Sequence, residues 1–536
     1  MLDDLTARRP YNAVTDFVDS HIEQGRGAKA AFIDPERSLT YGDLQARSIR
    51  FANALRALGL GHENRVALLL HDTVDYPVAF WGTIRAGSIA IPLNTFLNAP
   101  QYAFMLADSR AVALVVDASL APMIEPVVAA LPHLKTIVLV GGNGADKATL
   151  AAFPGRAMHR FEDVIAAASP APFTAPTVSD EVAFWLYTSG STGEPKGVKH
   201  VHTNLMATAK LFGQGVLGIC EGDVVHSASK LFFAYGLGNA MSFPLSVGAT
   251  AMLWPHRPTP EGVFEVMRQY QPTVFYGVPS LYTALLAHKD VGKGAGSDRL
   301  RICVSAGEAL PAHIGERWRD IVGVDVLDGI GSTELLQTFL SNRPDDIRYG
   351  STGKPVPGYE TRIVDEHGND VGTNEIGELI VRGPSAGEGY WNQRAKSRRT
   401  FVGEWTHTGD KYRCDADGYY YYCGRTDDMF KVSGMWVSPF DVEAALISHE
   451  AVLEAAVIGK ADADGLIKPK AFIVLKNGYA ADDGLLEKLK IHVKEKAGPW
   501  KFPRWIELRE GLPRTATGKI QRFKLRDEDL QAPAAE

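Results

Sequence analysis

Residues 187–197 read YTSGSTGEPKG and follow directly on an apolar, β-rich run at 182–186. Gly190, Gly193 and Gly197 permit tight backbone turns whose N–H groups can point at one anion. Hydroxyl donors and one ammonium group lie among these glycines: Thr188, Ser189, Ser191, Thr192 and Lys196. The stretch is not a Walker A loop, because no G-K-[ST] sequence ends it. Since linkers rarely follow a buried strand directly, we interpret it as a loop for the β- and γ-phosphates of ATP rather than as a flexible linker.

The composition is that of a globular chain without a strong charge bias. Its 536 residues are 45% hydrophobic and 22% charged, with a formal net charge of −7. Because the charge is spread along the chain, nothing predicts a nucleic acid or a membrane surface as partner. The chain starts without the basic segment and apolar core of a signal peptide, and its four cysteines are widely spaced. We therefore expect reduced thiols and a cytoplasmic protein.

Strand-like and helical patterns alternate through most of the chain, which is too long for one ordinary domain. Apolar, β-rich runs such as 136–140 and 273–276 lie among helical stretches such as 44–58. This alternation predicts an α/β fold of mostly parallel sheets covered by helices. After about Asp427, two strand-like runs, an amphipathic helix and another strand follow. We expect a large domain at 1–427 that includes a β-rich subdomain, a small mobile α+β domain at 428–530 and a tail at 531–536.

Four further motifs follow the loop in sequence. They are DGIGSTE at 328–334, WTHTGD at 405–410, GRTDDMFKVSG at 424–434 and PRTATGK at 513–519. Together with the loop, they resemble the signatures of adenylate-forming enzymes, which include acyl-CoA synthetases, peptide-synthetase adenylation domains and luciferases. The resemblance covers nearly the whole chain and is most like that to bacterial benzoate-CoA ligases. It implies that ATP converts a carboxylic acid to an acyl-adenylate, whose acyl group then passes to a thiol.

The DGIGSTE motif is implied to lie at the phosphates. A carboxylate beside a triphosphate requires a cation between them, so Mg²⁺ is expected with Glu334 as its ligand. The resemblance gives Thr333 a phosphate contact and places Asp328 and Gly329 at the nucleotide.

Two later motifs contribute further polar side chains. A carboxylate accepts hydrogen bonds from both ribose hydroxyls well, and the resemblance gives Asp410 this role, with Arg425 as a second ribose or phosphate contact. Lys519 is implied to bridge the substrate carboxylate and the α-phosphate, where it would stabilise charge in the transition state. Catalysis is thus expected from Lys519, Glu334 and Thr333.

The run KLFFAYGLGNAM at 230–241 corresponds to the acyl-pocket helix of the family. Amino-acid-activating relatives usually have an acidic residue where Ala234 stands, so an amino acid is disfavoured because its buried ammonium would lack a partner. Aromatic and apolar walls are expected at Phe233, Tyr235 and Ile330, with Gly236, Gly307 and Gly329 leaving room for a ring. Ala234 and Gly331 complete the expected substrate-binding set. We expect benzoate or a close analogue as substrate; a short or branched aliphatic acid is the alternative.

The thiol is expected to be coenzyme A. In the family, the turn at Ser433 and Gly434 lets the pantetheine arm reach the active site. Cations and an aromatic ring that suit the nucleotide of CoA lie at Lys501, Phe502 and Arg504. Lys519 and Gly434 serve different steps yet belong to one small domain, so this domain must reorient, with Asp427 as hinge.

Several alternatives stay open. Transfer to a carrier protein would replace CoA as acceptor, and a luciferase-type monooxygenase would consume O₂. A non-catalytic binding protein would be expected to lack Lys519, Glu334 or Asp410, and all three are present. The sequence does not decide whether the chain forms a homodimer or whether Lys519 is acylated in the cell.

Overall fold

A computed structural model of the chain describes residues 7–141, 153, 155–189, 195–426, 428–432, 435–462, 465–479, 482–514 and 520–531. Contacts within the chain group it into two compact units. The first comprises Met1–Tyr349, Gly353–Glu360 and Val381–Thr406, and the second Gly350–Thr352, Thr361–Ile380 and His407–Glu536. The predicted domain boundary at Asp427 lies outside the described residues and stays a prediction.

A seven-stranded sheet in the first unit carries the strand that precedes the glycine-rich loop. Its strands are, in spatial order, Ala157–Arg160, Thr136–Val140, Ala113–Asp117, Arg65–Leu69, Ile89–Pro92, Val182–Ser189 and Pro195–Val201. Six strands are parallel, and Pro195–Val201 runs back antiparallel to Val182–Ser189. Helices Ala99–Ser109 and Ala121–Val128 bury apolar side chains against the strands. The near-continuous apolar runs in these strands are typical of a covered parallel sheet.

A nine-stranded sheet forms a second core in the same unit. Its strands are, in spatial order, Lys354–Pro355, Thr338–Ser341, Val326–Gly331, Ile302–Ser305, Val274–Gly277, Val224–Ser227, Thr250–Met252, Ala30–Ile33 and Ser38–Thr40. The six strands from Val326–Gly331 to Ala30–Ile33 are parallel. Phe264, Tyr282 and Trp318 are buried where three helices pack on this sheet. These helices are Pro260–Tyr270, Pro279–Ala287 and Ala312–Val322.

Local sequence signals explain several of the other helices. Tyr41–Ala57 begins at a capping box in which Thr40 and Asp43 satisfy each other's backbone N–H groups. Asp75–Arg85 is buried along its whole length, in keeping with its apolar sequence. The remaining α-helices of the first unit are Ser20–Glu23, Phe161–Ala167, His202–Thr208, Ala234–Leu237, Phe243–Val247 and Arg394–Thr400. Short π-helical turns lie at Thr15–Asp19, Ala209–Gln214 and Gly238–Ser242, and a 3₁₀-helical turn lies at Lys293–Gly296.

The remaining strands form one five-stranded sheet and two smaller ones. The five-stranded sheet contains Glu360–Val364, Gly377–Arg382, Trp405–Cys414, Phe401–Val402 and Tyr420–Arg425. A two-stranded sheet contains Phe430–Val432 and Met435–Val437. A three-stranded sheet contains Val452–Ala461, Ile467–Leu475 and Trp505–Leu508. Helices of the second unit are Pro439–Ile447, Asp483–Ala497 and Arg522–Gln531. Leu446, Val457, Ile473 and Leu489 are buried in its core.

The predicted α/β class is confirmed, with parallel sheets in the large unit and an α+β arrangement near the C-terminus. The strand predicted at 182–186 extends to Ser189, and the amphipathic helix lies at Asp483–Ala497. The predicted pocket helix at 230–241 is not continuous, because Ala234–Leu237 passes into the π-helical turn Gly238–Ser242. Within the described ranges, no helix is both long enough and apolar enough to cross a membrane.

Candidate active site

The two strands that flank the glycine-rich loop present Lys196. Thr188 lies opposite Lys196 in the antiparallel register, and Ser189 lies opposite Pro195. The Lys196 ammonium is 3.9 Å from Glu334 Oε1. The loop positions between the strands, Gly190, Ser191, Thr192 and Gly193, lie outside the described residues. The predicted phosphate-binding cation therefore lies close to the carboxylate implied for Mg²⁺.

A buried histidine fixes the backbone at Thr333 and Glu334. His200 Nε2 bonds to the Thr333 carbonyl oxygen at 2.8 Å, and its ring stacks on Phe184 with centroids 5.2 Å apart. Burial lowers the pKa of His200 to about 4, so the ring is neutral at pH 7 and donates from Nε2. The backbone N–H of Gly387 also donates to the Glu334 carbonyl at 2.8 Å. The Thr333–Glu334 backbone is thus held from two sides.

Tyr390 is a residue of this cluster that the sequence motifs did not indicate. Its hydroxyl donates to Glu334 Oε1 at 2.7 Å and lies 3.2 Å from Lys196 Nζ. The Lys196 ammonium is 4.2 Å from the centroid of the Tyr390 ring. The signal that could have revealed it is weak: two adjacent aromatic residues after two glycines, in the run GEGYW at 387–391.

The predicted acyl pocket lies at one edge of the nine-stranded sheet. Gly277, Ser305 and Asp328 occupy matching positions at or near the carboxyl ends of three neighbouring parallel strands. Ligands of open α/β sheets bind at this edge. The Tyr235 hydroxyl donates to the Val304 carbonyl at 3.2 Å, which fixes the pocket segment to it. Phe233 and Ala234 begin the helix in the same segment, with Phe233 as N-cap.

Gln337 fastens the pocket helix, and the sequence motifs did not indicate it either. Its Nε2 donates to the Tyr235 carbonyl at 3.0 Å and lies 3.3 Å from Asn239 Oδ1. A Cβ at Gly238 would lie 2.2 Å from this Nε2, so only glycine allows the approach. The π-helical turn is therefore held by a buried side chain from Gln337, about a hundred residues later in the chain.

The pocket glycines differ in what they accommodate. Gly307 has a φ of +96°, and an added Cβ would meet only Val278, at 3.9 Å, so this position offers open space. A Cβ at Gly329 would lie 3.0 Å from the Leu340 carbonyl, and one at Gly331 would lie 2.5 Å from a backbone oxygen. Close strand packing therefore excludes a side chain at 331 and leaves little space for one at 329, a reason for Gly329 other than the predicted room for a ring. Ile330, between them, is half-buried.

Asp328 is a buried carboxyl group at the same edge. Only 4% of the residue is exposed, and its Oδ1 has no hydrogen-bond partner among the described residues. Burial raises the pKa of Asp328 well above its ordinary value. A buried polar atom left in this way can pair with a ligand donor. The predicted place of Asp328 at the nucleotide stays a prediction.

The two residues predicted at the ribose form an ion pair within the second unit. Asp410 lies opposite Arg425 on paired antiparallel strands. Arg425 Nη1 donates to Asp410 Oδ1 at 3.0 Å and to the Thr408 carbonyl at 3.2 Å. The Asp410 side chain is nearly buried, whereas that of Arg425 is half exposed. The guanidinium thus orients the carboxylate from its solvent side.

The predicted CoA residues near the C-terminus form two separate contacts. Two cations contact the Phe502 ring: Lys494 Nζ lies 4.1 Å from its centroid and Arg504 Cζ 4.0 Å from it. Lys501 Nζ instead donates to Asp441 Oδ2 at 2.5 Å. Four further predicted residues, Asp427, Ser433, Gly434 and Lys519, lie outside the described residues.

The donor set at Glu334 fits Mg²⁺ bound together with a triphosphate. In nucleotide sites Mg²⁺ takes one or two carboxylates, with phosphate oxygens and waters completing the coordination. Glu334 supplies one carboxylate, 17% exposed, and Thr333 places a hydroxyl next to it in the chain. Over the described ranges, no three His, Cys, Asp or Glu side chains gather as a metal cage. Glu334 would therefore hold a metal ion whose coordination ATP completes.

Comparison with known proteins places the chain in a family. The AMP-binding enzyme family matches residues 19–391, and the AMP-binding enzyme C-terminal domain matches residues 441–519. A 4-hydroxybenzoate-CoA/benzoate-CoA ligase from Rhodopseudomonas palustris is 52% identical over 97% of this chain and 95% of its own. A benzoate-CoA ligase from Thauera aromatica is 52% identical over 96% of each chain. The crystal structure of a benzoate CoA ligase from Burkholderia xenovorans LB400 matches with a TM-score of 0.88 at 46% identity, over 96% of this chain and all of that one. As its motifs predict, the chain belongs to the AMP-binding enzyme family.

Proposed function

We propose that this chain is an AMP-forming aryl-CoA ligase that activates benzoate or a close analogue. The acid and ATP give an acyl-adenylate and pyrophosphate, and CoA then takes the acyl group and releases AMP. One observation carries the proposal: the 52% identity to the two ligases from R. palustris and T. aromatica extends over at least 95% of each chain. The likeness therefore includes the acyl pocket and the C-terminal region as well as the nucleotide loop.

In the first half-reaction, a carboxylate oxygen attacks the α-phosphorus and the bond to pyrophosphate breaks. Lys196 supplies positive charge for the phosphates, while the buried His200 holds Thr333 and Glu334 in place. Mg²⁺, when bound at Glu334, neutralises charge on the phosphate oxygens. We assign Lys519 to the bridge between the substrate carboxylate and the α-phosphate.

In the second half-reaction, the CoA thiolate attacks the acyl carbonyl and AMP leaves with the electron pair of the broken C–O bond. Ser433 and Gly434 form the turn that admits the pantetheine arm in this proposal. Phe502, whose ring contacts the cations of Lys494 and Arg504, is assigned to the adenine, and Arg504 suits a phosphate. Lys501 takes part only if it leaves Asp441. We place the hinge between the two steps at Asp427 and the domain boundary beside it.

The residues of the predicted acyl pocket favour a substrate with an uncharged aromatic ring. Ala234 offers no carboxylate to pair with an α-ammonium group, which would be costly to bury alone. The rings of Tyr235 and Tyr276 meet edge to face with centroids 6.2 Å apart, and the open space at Gly307 lies on the same sheet edge. A flat apolar ring can pack against such walls with favourable edge and face contacts.

Three narrower proposals concern the location, the oligomeric state and the regulation of the enzyme. ATP and CoA are both cosubstrates of the cell interior, so we place the enzyme in the cytoplasm. We also propose that the chain forms a homodimer, to be measured by sedimentation velocity. Acylation of Lys519 would remove its positive charge and silence adenylation, and mass spectrometry of the enzyme from its native cells would detect it.

A pyrophosphate-release screen tests the proposal. Benzoate, its hydroxy, amino and fluoro derivatives, and C2 to C8 aliphatic acids are each supplied with MgATP, with and without CoA. We expect the highest kcat/KM for benzoate or a ring-substituted benzoate, and sustained turnover only with CoA. A higher kcat/KM for an aliphatic acid would favour the alternative substrate class. Turnover only with a holo-carrier protein would identify that protein, rather than CoA, as the acyl acceptor.

A further inference from the structure

The segment GEGYW at 387–391 forms an extra, irregular edge along the strand that leaves the phosphate loop. Glu388 N–H donates to the Lys199 carbonyl at 2.9 Å, and Lys199 N–H donates to the Gly389 carbonyl at 3.1 Å. Trp391 N–H donates to the Gly197 carbonyl at 2.8 Å. These bonds hold the backbone on both sides of Tyr390 to the strand Pro195–Val201.

Each end of this segment has a further anchor. The Trp391 ring packs on Trp185 with centroids 4.7 Å apart, and its Nε1 donates to the Asp108 carbonyl at 2.8 Å. At the other end, a Cβ on Gly387 would lie 2.8 Å from Val198, so the backbone there approaches the strand as closely as glycine permits. The backbone from which the Tyr390 side chain extends is therefore fixed on both sides.

The Tyr390 hydroxyl links two groups that serve different parts of MgATP. It donates its proton to Glu334 Oε1 at 2.7 Å, and it accepts from the Lys196 ammonium at 3.2 Å. Thr400 Oγ1 lies 3.3 Å from the same hydroxyl. A chain of hydrogen bonds thus runs from the phosphate-binding cation through a neutral phenol to the metal-binding carboxylate. Such a chain is cooperative, because each bond polarises the next.

We propose that Tyr390 is a positioning residue that orients Glu334 for Mg²⁺ and keeps Lys196 beside it before MgATP binds. This inference rests on the proposed function for the identity of the nucleotide. An ionised carboxylate has about four lone-pair positions, so Glu334 can accept from Tyr390 and bind a metal ion at the same time. Without the hydroxyl, the ion pair between Lys196 and Glu334, now at 3.9 Å, can shorten and compete with the metal.

The variant that tests this role is Tyr390→Phe, which keeps the ring, the backbone bonds and the cation–π contact. Its matched control is Tyr349→Phe. Tyr349 donates to Asp325 Oδ1 at 2.7 Å, a phenol–carboxylate hydrogen bond of the same length. Asp325 lies just before the strand Val326–Gly331, at the end of that strand away from the site. If loss of a part-buried phenol–carboxylate bond were by itself enough to weaken Mg²⁺-dependent ATP binding, both variants would show it.

ATP binding is measured by calorimetry in excess Mg²⁺ and in EDTA, without any carboxylic acid. Wild-type enzyme and Tyr349→Phe should bind ATP more tightly with Mg²⁺. In Tyr390→Phe, the gain in ATP affinity that Mg²⁺ provides should be about tenfold to hundredfold smaller than in wild type. This is the usual effect of removing a hydrogen bond to a metal ligand. Its affinity in EDTA should stay within about twofold of wild type. Thermal unfolding of all variants checks that each is folded.

Two results would overturn the proposal. One is a Mg²⁺-dependent gain in Tyr390→Phe that equals that of wild type. The other is an equal loss of ATP affinity in Mg²⁺ and in EDTA, which would mean that the hydroxyl acts on the phosphate loop rather than through Glu334. A double-mutant cycle with Glu334→Gln adds a check, since Tyr390→Phe should cost little in that background. ATP binding without any aryl-adenylate formation would instead contradict the proposed function and leave this inference standing.

Discussion

Arg425 donates from Nη1 to Asp410 Oδ1 at 3.0 Å, so the carboxylate predicted to bind ribose has its partner in place before any nucleotide arrives. Both residues lie on the paired strands Trp405–Cys414 and Tyr420–Arg425, which fix their backbones opposite each other. The Asp410 side chain is nearly buried, whereas half of the Arg425 side chain reaches solvent.

Removing this partner should weaken ATP binding and leave the acid pocket unchanged. Arg425→Leu should raise the KM for ATP about tenfold, since a hydrogen bond to a charged group contributes roughly 1.5–3 kcal/mol. The KM for benzoate should stay within about twofold. Arg413→Leu is the control, because Arg413 lies on the same strand pair and stacks on Tyr421 instead. Equal effects of both substitutions on the KM for ATP would count against the role of Arg425.

Filling the pocket should affect the acid selectively. Ala234→Leu adds three carbon atoms at the start of the pocket helix, and overpacking of this kind costs roughly 1–3 kcal/mol. We expect the KM for benzoate to rise at least about fivefold, with the KM for ATP unchanged. Steady-state kinetics with each substrate varied in turn give both constants. An unchanged KM for benzoate would place the acid elsewhere.

Lys519 should separate the two half-reactions. Because charge builds between carboxylate and α-phosphate only during adenylation, Lys519→Ala should lose acyl-adenylate formation by several orders of magnitude. Thioester formation from supplied benzoyl-AMP and CoA should largely survive. Lys524→Ala, which changes an exposed lysine just after the motif, is the control. Equal losses in both half-reactions would contradict the assignment.

Much of this site was predictable because its residues stand in contiguous motifs. The loop, DGIGSTE and WTHTGD each combine glycines with polar side chains that have one evident use, and the strand at Trp505–Leu508 agrees with its β-rich sequence. Tyr390, Gln337 and His200 escaped prediction, because each acts on a motif far away in the chain. Gly236 shows a second limit. It was expected to leave room for a ring, but its added Cβ would lie 2.1 Å from the Lys230 carbonyl.

A buried neutral histidine should make the stability of the enzyme depend on pH. The Ala13 N–H donates to His202 Nδ1 at 3.2 Å, and burial lowers the pKa of His202 to about 4. The unfolded chain, with an ordinary histidine pKa of about 6.5, binds more protons than the folded one between these values. This contribution to stability is therefore present at pH 7 and is lost as the pH falls from about 6.5 towards 4.

His202→Asn keeps an acceptor for Ala13 but cannot titrate. The drop in the free energy of unfolding between pH 7 and pH 5 should therefore shrink by about 2 kcal/mol relative to wild type. Urea unfolding at the two pH values measures it, with exposed His133→Asn as control. An unchanged drop in His202→Asn would show that His202 is not neutral in the folded enzyme.

A rapid-quench single turnover tests the central claim, aryl-adenylate formation followed by transfer to CoA, most directly. Enzyme in excess over labelled benzoate is mixed with MgATP, and CoA is added only after the first product has accumulated. We predict that benzoyl-AMP and pyrophosphate form together without CoA, and that the label then moves from benzoyl-AMP to benzoyl-CoA as AMP appears. Absence of benzoyl-AMP before CoA is added, or benzoyl-AMP that persists after it, would contradict the account.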